Sequence, residues 1–203
     1  MGRPKEFDVD KAIDIATDLF WRNGYDATSL ADLTADMGIS PPSFYAEFRS
    51  KEALFERVVE RYAAAQAEVI EAALAKSDPV EIIGSLLTGV ATLLTNPRYT
   101  PGCLIMNSSL PVTGGVAFRE RFADQREALR IRIRDRLLET CPPTKVFPSG
   151  LDASTISRLT LSIYWGMAVE AQSGASRKEI LALGDALTQL LEKGLARPSS
   201  QRH

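Results

Sequence analysis

The 203-residue sequence predicts an all-α fold of about nine helices. Apolar residues recur at spacings of three and four, and no stretch alternates with period two for long enough to argue for a sheet. Glycine, proline and capping residues fall between the periodic runs, where helices start and stop.

The first helix, about 8 to 23, lies in "FDVDKAIDIATDLFWRNGY". Val9, Ala12, Ile13, Ala16, Leu19 and Phe20 make one apolar stripe, and Gly24 stands as its C-terminal stop. A short second helix follows in "TSLADLTADMG", with Ser29 as N-cap, Asp32 three residues on as a capping-box variant, and Gly38 as the end. In "ISPPSFYAEF", Ser40 caps a third helix whose first turn holds Pro41 and Pro42. First-turn N–H groups have no intrahelical acceptor, so the prolines cost little there. Because Pro42 disfavours helical geometry at Pro41, regular turns are expected to begin only at Pro42.

A long helix from Ser50 as N-cap to about residue 75 turns Leu54, Phe55, Val58, Val59 and Tyr62 to one side. Asp78 before Pro79 opens the next helix, which Pro97 closes. A short apolar helix fits between Pro101 and Pro111, and a longer one covers "AFRERFADQREALRIRIRDRLLET", with Phe118, Phe122, Leu129, Ile133 and Leu137 inward. Arg126, Arg130, Arg132, Arg134 and Arg136 read as a solvated face with acidic partners at Glu127 and Asp135. Two helices finish the chain, separated by a tight turn at residues 174 to 176.

Composition narrows function by exclusion. Two cysteines, Cys103 and Cys141, have no CxxC spacing and no neighbouring histidine, so neither a disulfide framework nor a zinc site is indicated. The only histidine is His203 at the terminus. With no nucleophile–base pair, metal set or phosphate loop, the expectation is no enzyme and no cofactor. No signal-like segment or bilayer-length apolar run is present, so a soluble cytoplasmic protein is expected.

Two short helices joined by the turn Met37, Gly38, Ile39 and Ser40 match a helix-turn-helix, whose second helix can enter a DNA major groove. Pro41 and Pro42 offer apolar rings to thymine methyl groups but no donor, so donors come from Ser43 and Tyr45, with charge from Lys51. The cap at Thr28 and Ser29, Ser40, and the start of the following helix offer backbone N–H groups for phosphate. Phe44 and Phe48, four apart, face the small domain's own core.

The order of these signals, Gly24 and Tyr25, a Thr-Ser cap, Gly-Ile-Ser, an aromatic-Tyr pair, a Phe and then Ser-Lys-Glu-x-Leu, resembles the N-terminal domain of the tetracycline-repressor (TetR) family of bacterial transcriptional regulators. The resemblance covers about the first 60 residues and is weaker beyond them. It implies a three-helix helix-turn-helix domain at 1–50, linked by a helix at about 51–75, and a larger helical effector-binding and dimerisation domain over 51–203. It also implies an N-terminal arm, with Arg3 and Lys5, that reaches a minor groove.

The partners implied are a double-stranded DNA operator, a small-molecule effector and a second copy of the chain. For the effector pocket the candidates are Cys103, Met106, Asn107, Phe118, Phe122, Tyr164, Trp165 and Met167, each also readable as plain core. Dimerisation is expected through the last two helices, with Ala168, Leu181, Leu187 and Leu191 contributing. The expected function is a ligand-responsive repressor released from a palindromic operator by a small apolar or amphipathic effector.

Glu47 and a charge balance support an alternative, a helical small-molecule binding protein that has lost operator binding. Glu47 puts a carboxylate on the reading helix, and Thr34 stands where a small packing residue is usual. Residues 1–62 carry 8 Lys plus Arg against 12 Asp plus Glu, a net of −4.

Overall fold

Asp8 accepts a hydrogen bond from the Lys11 amide (3.1 Å) and so opens α1, Val9–Asn23, in the computed structural model of the chain. The structure describes residues 7–109, 116–141, 147 and 151–195, and these form nine helices and no strand. Gly24, at φ 80°, closes α1 by donating its N–H to the Phe20 carbonyl (2.9 Å).

α2, Leu30–Met37, has a complete capping box: the Asp32 amide donates to Ser29 Oγ (3.1 Å) and the Ser29 amide to Asp32 Oδ2 (2.9 Å). The Ser29 hydroxyl, donating to Asp32 Oδ2 at 2.6 Å, and then the Ser29 amide hold the Asp32 carboxyl below its ordinary value. Gly38 ends α2 in the left-handed region, φ 66° and ψ 32°. Thr34 fits without loss, because its hydroxyl donates back to the Leu30 carbonyl (3.0 Å).

α3 spans Pro41–Phe48 and begins one residue earlier than expected. The Ser43 amide donates to Ser40 Oγ (3.3 Å), and that cap needs both prolines in the helical turn. Ser40 itself is extended, the conformation a residue before proline prefers. After α3 come α4, Lys51–Leu74, with the Ala53 amide donating to Ser50 Oγ (3.0 Å), and α5, Pro79–Leu94, capped by Asp78. The remaining helices are α6, Leu104–Ser109, α7, Val116–Thr140, α8, Ala153–Gln172, and α9, Arg177–Leu195.

The chain divides into two compact units. The first comprises 1–64 together with 103–122; the second comprises 65–102 and 123–203. α4 and α7 each pass from one unit into the other without a break.

Aromatic rings fill the first unit's core. Phe118 from α7 meets Tyr25 at 4.9 Å and Phe55 at 4.8 Å between centroids, and Phe55 meets Phe20 at 5.0 Å. In the second unit α5 is the central helix, packed on α8 and α9 with Ile82, Ile83, Leu86 and Leu87 buried. Close approach is possible because a β-carbon on Gly89 would lie 2.4 Å from Val69 Cγ1, and one on Gly184 would lie 2.9 Å from Leu87 Cβ.

Candidate nucleic-acid interface

α3 is an eight-residue helix with two unlike faces. Phe44 and Phe48 are buried against the aromatic core, which fixes the rotation of the helix and turns Pro41, Pro42, Ser43 and Tyr45 outward. Tyr45 is 53% exposed, and its ring stands edge-on to Phe44 at 5.7 Å. The Ser40 and Ser43 hydroxyls lie 2.9 Å apart, an exposed pair that both donates and accepts. Ser29 is exposed at the start of α2, its hydroxyl on Asp32.

Glu47 does not project from this face as a bare carboxylate. Its Oε1 accepts from Arg57 of α4 (3.0 Å), whose guanidinium also lies over the Phe48 ring at 5.2 Å. The negative charge is thereby drawn back toward α4. Other acids of this unit are matched in the same way: Asp18 by Arg22, Asp10 and Asp14 by Arg61, and Glu56 by Arg121.

Two expected contact residues have other duties. Thr28 is fully buried, and its hydroxyl donates to the Gly24 carbonyl (2.8 Å), so its side chain faces inward. Lys51 Nζ donates to the carbonyls of Tyr25 and Thr28, both at 2.9 Å, and sits 4.2 Å from the Tyr25 ring centroid. It ties the α1–α2 connection to the start of α4. Burial, reinforced by the Glu52 carboxylate, pushes the Tyr25 hydroxyl up to about 12, so this ring stays neutral beside the ammonium. Arg3 and Lys5 lie outside the described residues.

Sequence reasoning passed over Arg49. It is exposed, makes no ion pair among the described residues, and has φ 66° and ψ −46°. The Ser50 amide donates to the Phe48 carbonyl (2.7 Å), so Arg49 is the centre of a γ-turn in its strained sense. Among the described residues it alone combines positive φ with a side chain other than hydrogen. Its only signal in the sequence is a basic residue next to a predicted helix end.

The effector candidates are divided between the two units. Phe118 and Phe122 belong to the aromatic core of the first unit, and that unit also contains the buried Cys103 and, on α6, the half-buried Met106. Asn107 is on α6, with its side chain outside the described set. Tyr164, Trp165 and Met167 belong to the second unit, where Met167 is fully buried and Tyr164 accepts from Gln66 Nε2 (2.5 Å). Trp165 is half-buried. Among the described residues no group of three or more His, Cys, Asp or Glu is placed to hold a metal ion, and no helix is long and apolar enough to cross a membrane.

The last two helices present a second apolar surface. A groove of about 650 Å³ runs along α8 and α9, lined by Leu159, Ile163, Gly166, Leu183, Leu187 and Leu190 among others. Leu159, Leu183 and Leu190 are 38%, 41% and 67% exposed. Ala168 and Leu191, expected at a dimer contact, are instead buried within the chain, and Leu187 is 3% exposed at the floor of the groove. Both α8 and α9 are apolar on two sides, and helical period alone does not say which side meets the chain's own core.

Residues 12–58 match the family described as bacterial regulatory proteins, tetR family. The chain is 32% identical to the HTH-type transcriptional repressor ComR of Escherichia coli over 93% of this chain and 91% of that one. It is 28% identical to the HTH-type transcriptional repressor BdcR of the same organism, over 95% of each. Among solved structures, a cysteine mutant of the TetR family regulator CifR in complex with 26-base-pair operator DNA is similar with a TM-score of 0.76 and 28% identity, over 92% of this chain and 98% of that one. These relatives are transcriptional regulators rather than enzymes. The helix-turn-helix order and the match to ComR along nearly its whole length assign this chain to the TetR family of bacterial regulatory proteins.

Proposed function

We propose that the chain is a homodimeric transcriptional repressor that reads a palindromic operator with α3 and is released from it by a small effector. The observation that carries the reading is the outer face of α3. Pro41, Pro42, Ser43 and Tyr45 are exposed together, while the one carboxylate of the helix is held by Arg57. Such a face offers apolar rings for thymine methyl groups and hydroxyls for base edges or phosphate. Ser29 and Ser40 cap the starts of α2 and α3, Arg49 adds an exposed cation at the end of α3, and the sequence adds the basic residues Arg3 and Lys5 ahead of α1. ComR and BdcR are named as repressors, and CifR was solved on operator DNA.

The groove along α8 and α9 supports dimerisation, since paired helices from two copies would bury its leucines in a four-helix bundle. Effector control rests on the family and on α4 and α7, each a single helix with residues in both units. The coupling is reciprocal, so saturating operator lowers effector affinity by the factor by which effector lowers operator affinity. A binding protein without DNA affinity has less support once the Glu47 carboxylate on α3 is held by Arg57.

Selection from a randomised duplex pool at low and moderate salt tests the reading. Enrichment of a palindrome with half-sites about one helical turn apart, or somewhat more, is expected. No enriched sequence at either salt would sink it.

A further inference from the structure

The helix-turn-helix segment is acidic, −4 over residues 1–62, and most of its described cations are committed within the chain. Arg22 pairs with Asp18 (3.2 Å), Arg57 with Glu47 (3.0 Å) and Arg61 with Asp14 (3.3 Å). Lys51 is held by the carbonyls of Tyr25 and Thr28. Within residues 7–62 that leaves Lys11, on α1, and Arg49, which follows the last residue of the reading helix.

The Arg49 amide donates to the Tyr45 carbonyl (3.1 Å), which sets Arg49 one helical turn beyond the exposed Tyr45. At φ 66° and ψ −46° its backbone is strained for any residue with a β-carbon. The bond that closes the turn, from the Ser50 amide to the Phe48 carbonyl (2.7 Å), joins backbone groups only. Glycine would close it equally well and without the strain. What arginine adds at this position is an exposed guanidinium.

We propose that Arg49 is a positioning residue of operator binding, its guanidinium on a backbone phosphate beside the major groove that α3 enters, and that it carries much of the salt-dependent part of the affinity. The inference rests on the operator reading above. In helix-turn-helix docking the first residues of the second helix meet base edges, whereas Arg49 stands past the other end of α3, so phosphate is its partner rather than a base. The planar guanidinium fork matches phosphate oxygens. Because the neighbouring cations are spent on acids and carbonyls, losing this one charge removes a large fraction of what the segment can offer to a polyanion.

Titration of the full-length protein onto the palindromic duplex recovered by selection, and onto a shuffled duplex of the same composition, between about 50 and 200 mM salt tests it. Arg49→Gly and Arg49→Gln both remove the cation, the first relieving the strained turn and the second keeping it. Each should lower operator affinity about tenfold per protomer engaged, weaken the shuffled duplex in proportion, and flatten the slope of log affinity against log salt by about one per protomer. Arg49→Lys should restore the slope. A purely structural role would make affinity follow the variants' stability and leave the slope alone. Unchanged slopes in both neutral variants, or a loss confined to the palindrome, as a base contact would give, would overturn the proposal and leave the operator reading standing. A wild-type protein that binds neither duplex would overturn both.

Discussion

Lys51 has partners within the chain that the sequence does not announce. A lysine just after a helix-turn-helix suggests phosphate, yet its ammonium here donates to two carbonyls, of Tyr25 and Thr28. Lys51→Met keeps the side-chain length and removes the donors. It should lower stability in urea unfolding by about 2 kcal/mol, because charge-assisted bonds are lost and two carbonyls are left to water. The salt slope of operator binding should stay as in the wild type; a fall of about one would put the ammonium on phosphate instead.

Arg49 makes the complementary point, since nothing in its neighbours announces a positive φ and a glycine would be expected there. Arg49→Ala and Arg49→Gly remove the same charge but differ in tolerance of φ 66°. The glycine variant should be more stable than the alanine variant by roughly 1 kcal/mol, the reverse of the order in a helix interior. Equal midpoints in urea would mean that the turn stores no strain.

At the scale of helices, starts and stops were legible because they rest on short-range rules. Ser29, Ser40, Ser50 and Asp78 cap the helices they were expected to cap, each by a hydrogen bond to an amide two or three residues on. Pairings between distant helices were not legible, since they depend on small residues whose partners are far off in the chain. Gly89 is one such case, with Val69 of α4 against its bare α-carbon. Valine is stiff at χ1 in a helix and cannot swing aside, so Gly89→Ala should destabilise the chain by about 1–3 kcal/mol despite alanine's better helix propensity. A Gly89→Ala variant as stable as the wild type would mean that α4 and α5 separate at little cost.

For the molecule as a whole, the reading helix could be oriented from sequence, since Phe44 and Phe48 leave one inward solution. The faces of α8 and α9 could not be, because each carries apolar residues on two sides. Leu190, 67% exposed on the groove of α8 and α9, separates the two roles. Leu190→Glu should leave the free chain's stability within about 0.5 kcal/mol, as at other exposed sites. Light scattering at micromolar concentration should then find a monomer, with operator affinity reduced because two half-sites are no longer engaged together. A Leu190→Glu protein that stays dimeric would remove α9 from the subunit contact.

The first compact unit is not one continuous piece of chain: residues 1–64 are completed by 103–122, whose Phe118 closes the ring cluster around Tyr25 and Phe55. During synthesis, the N-terminal helices therefore wait for 58 further residues, from 65 through 122, before their core can close. At about 5–20 residues per second, that is a delay of roughly 3–12 s. Over that interval Phe55 and Tyr25 lack the ring that covers them, and the nascent chain must be kept from pairing with its neighbours on the same message.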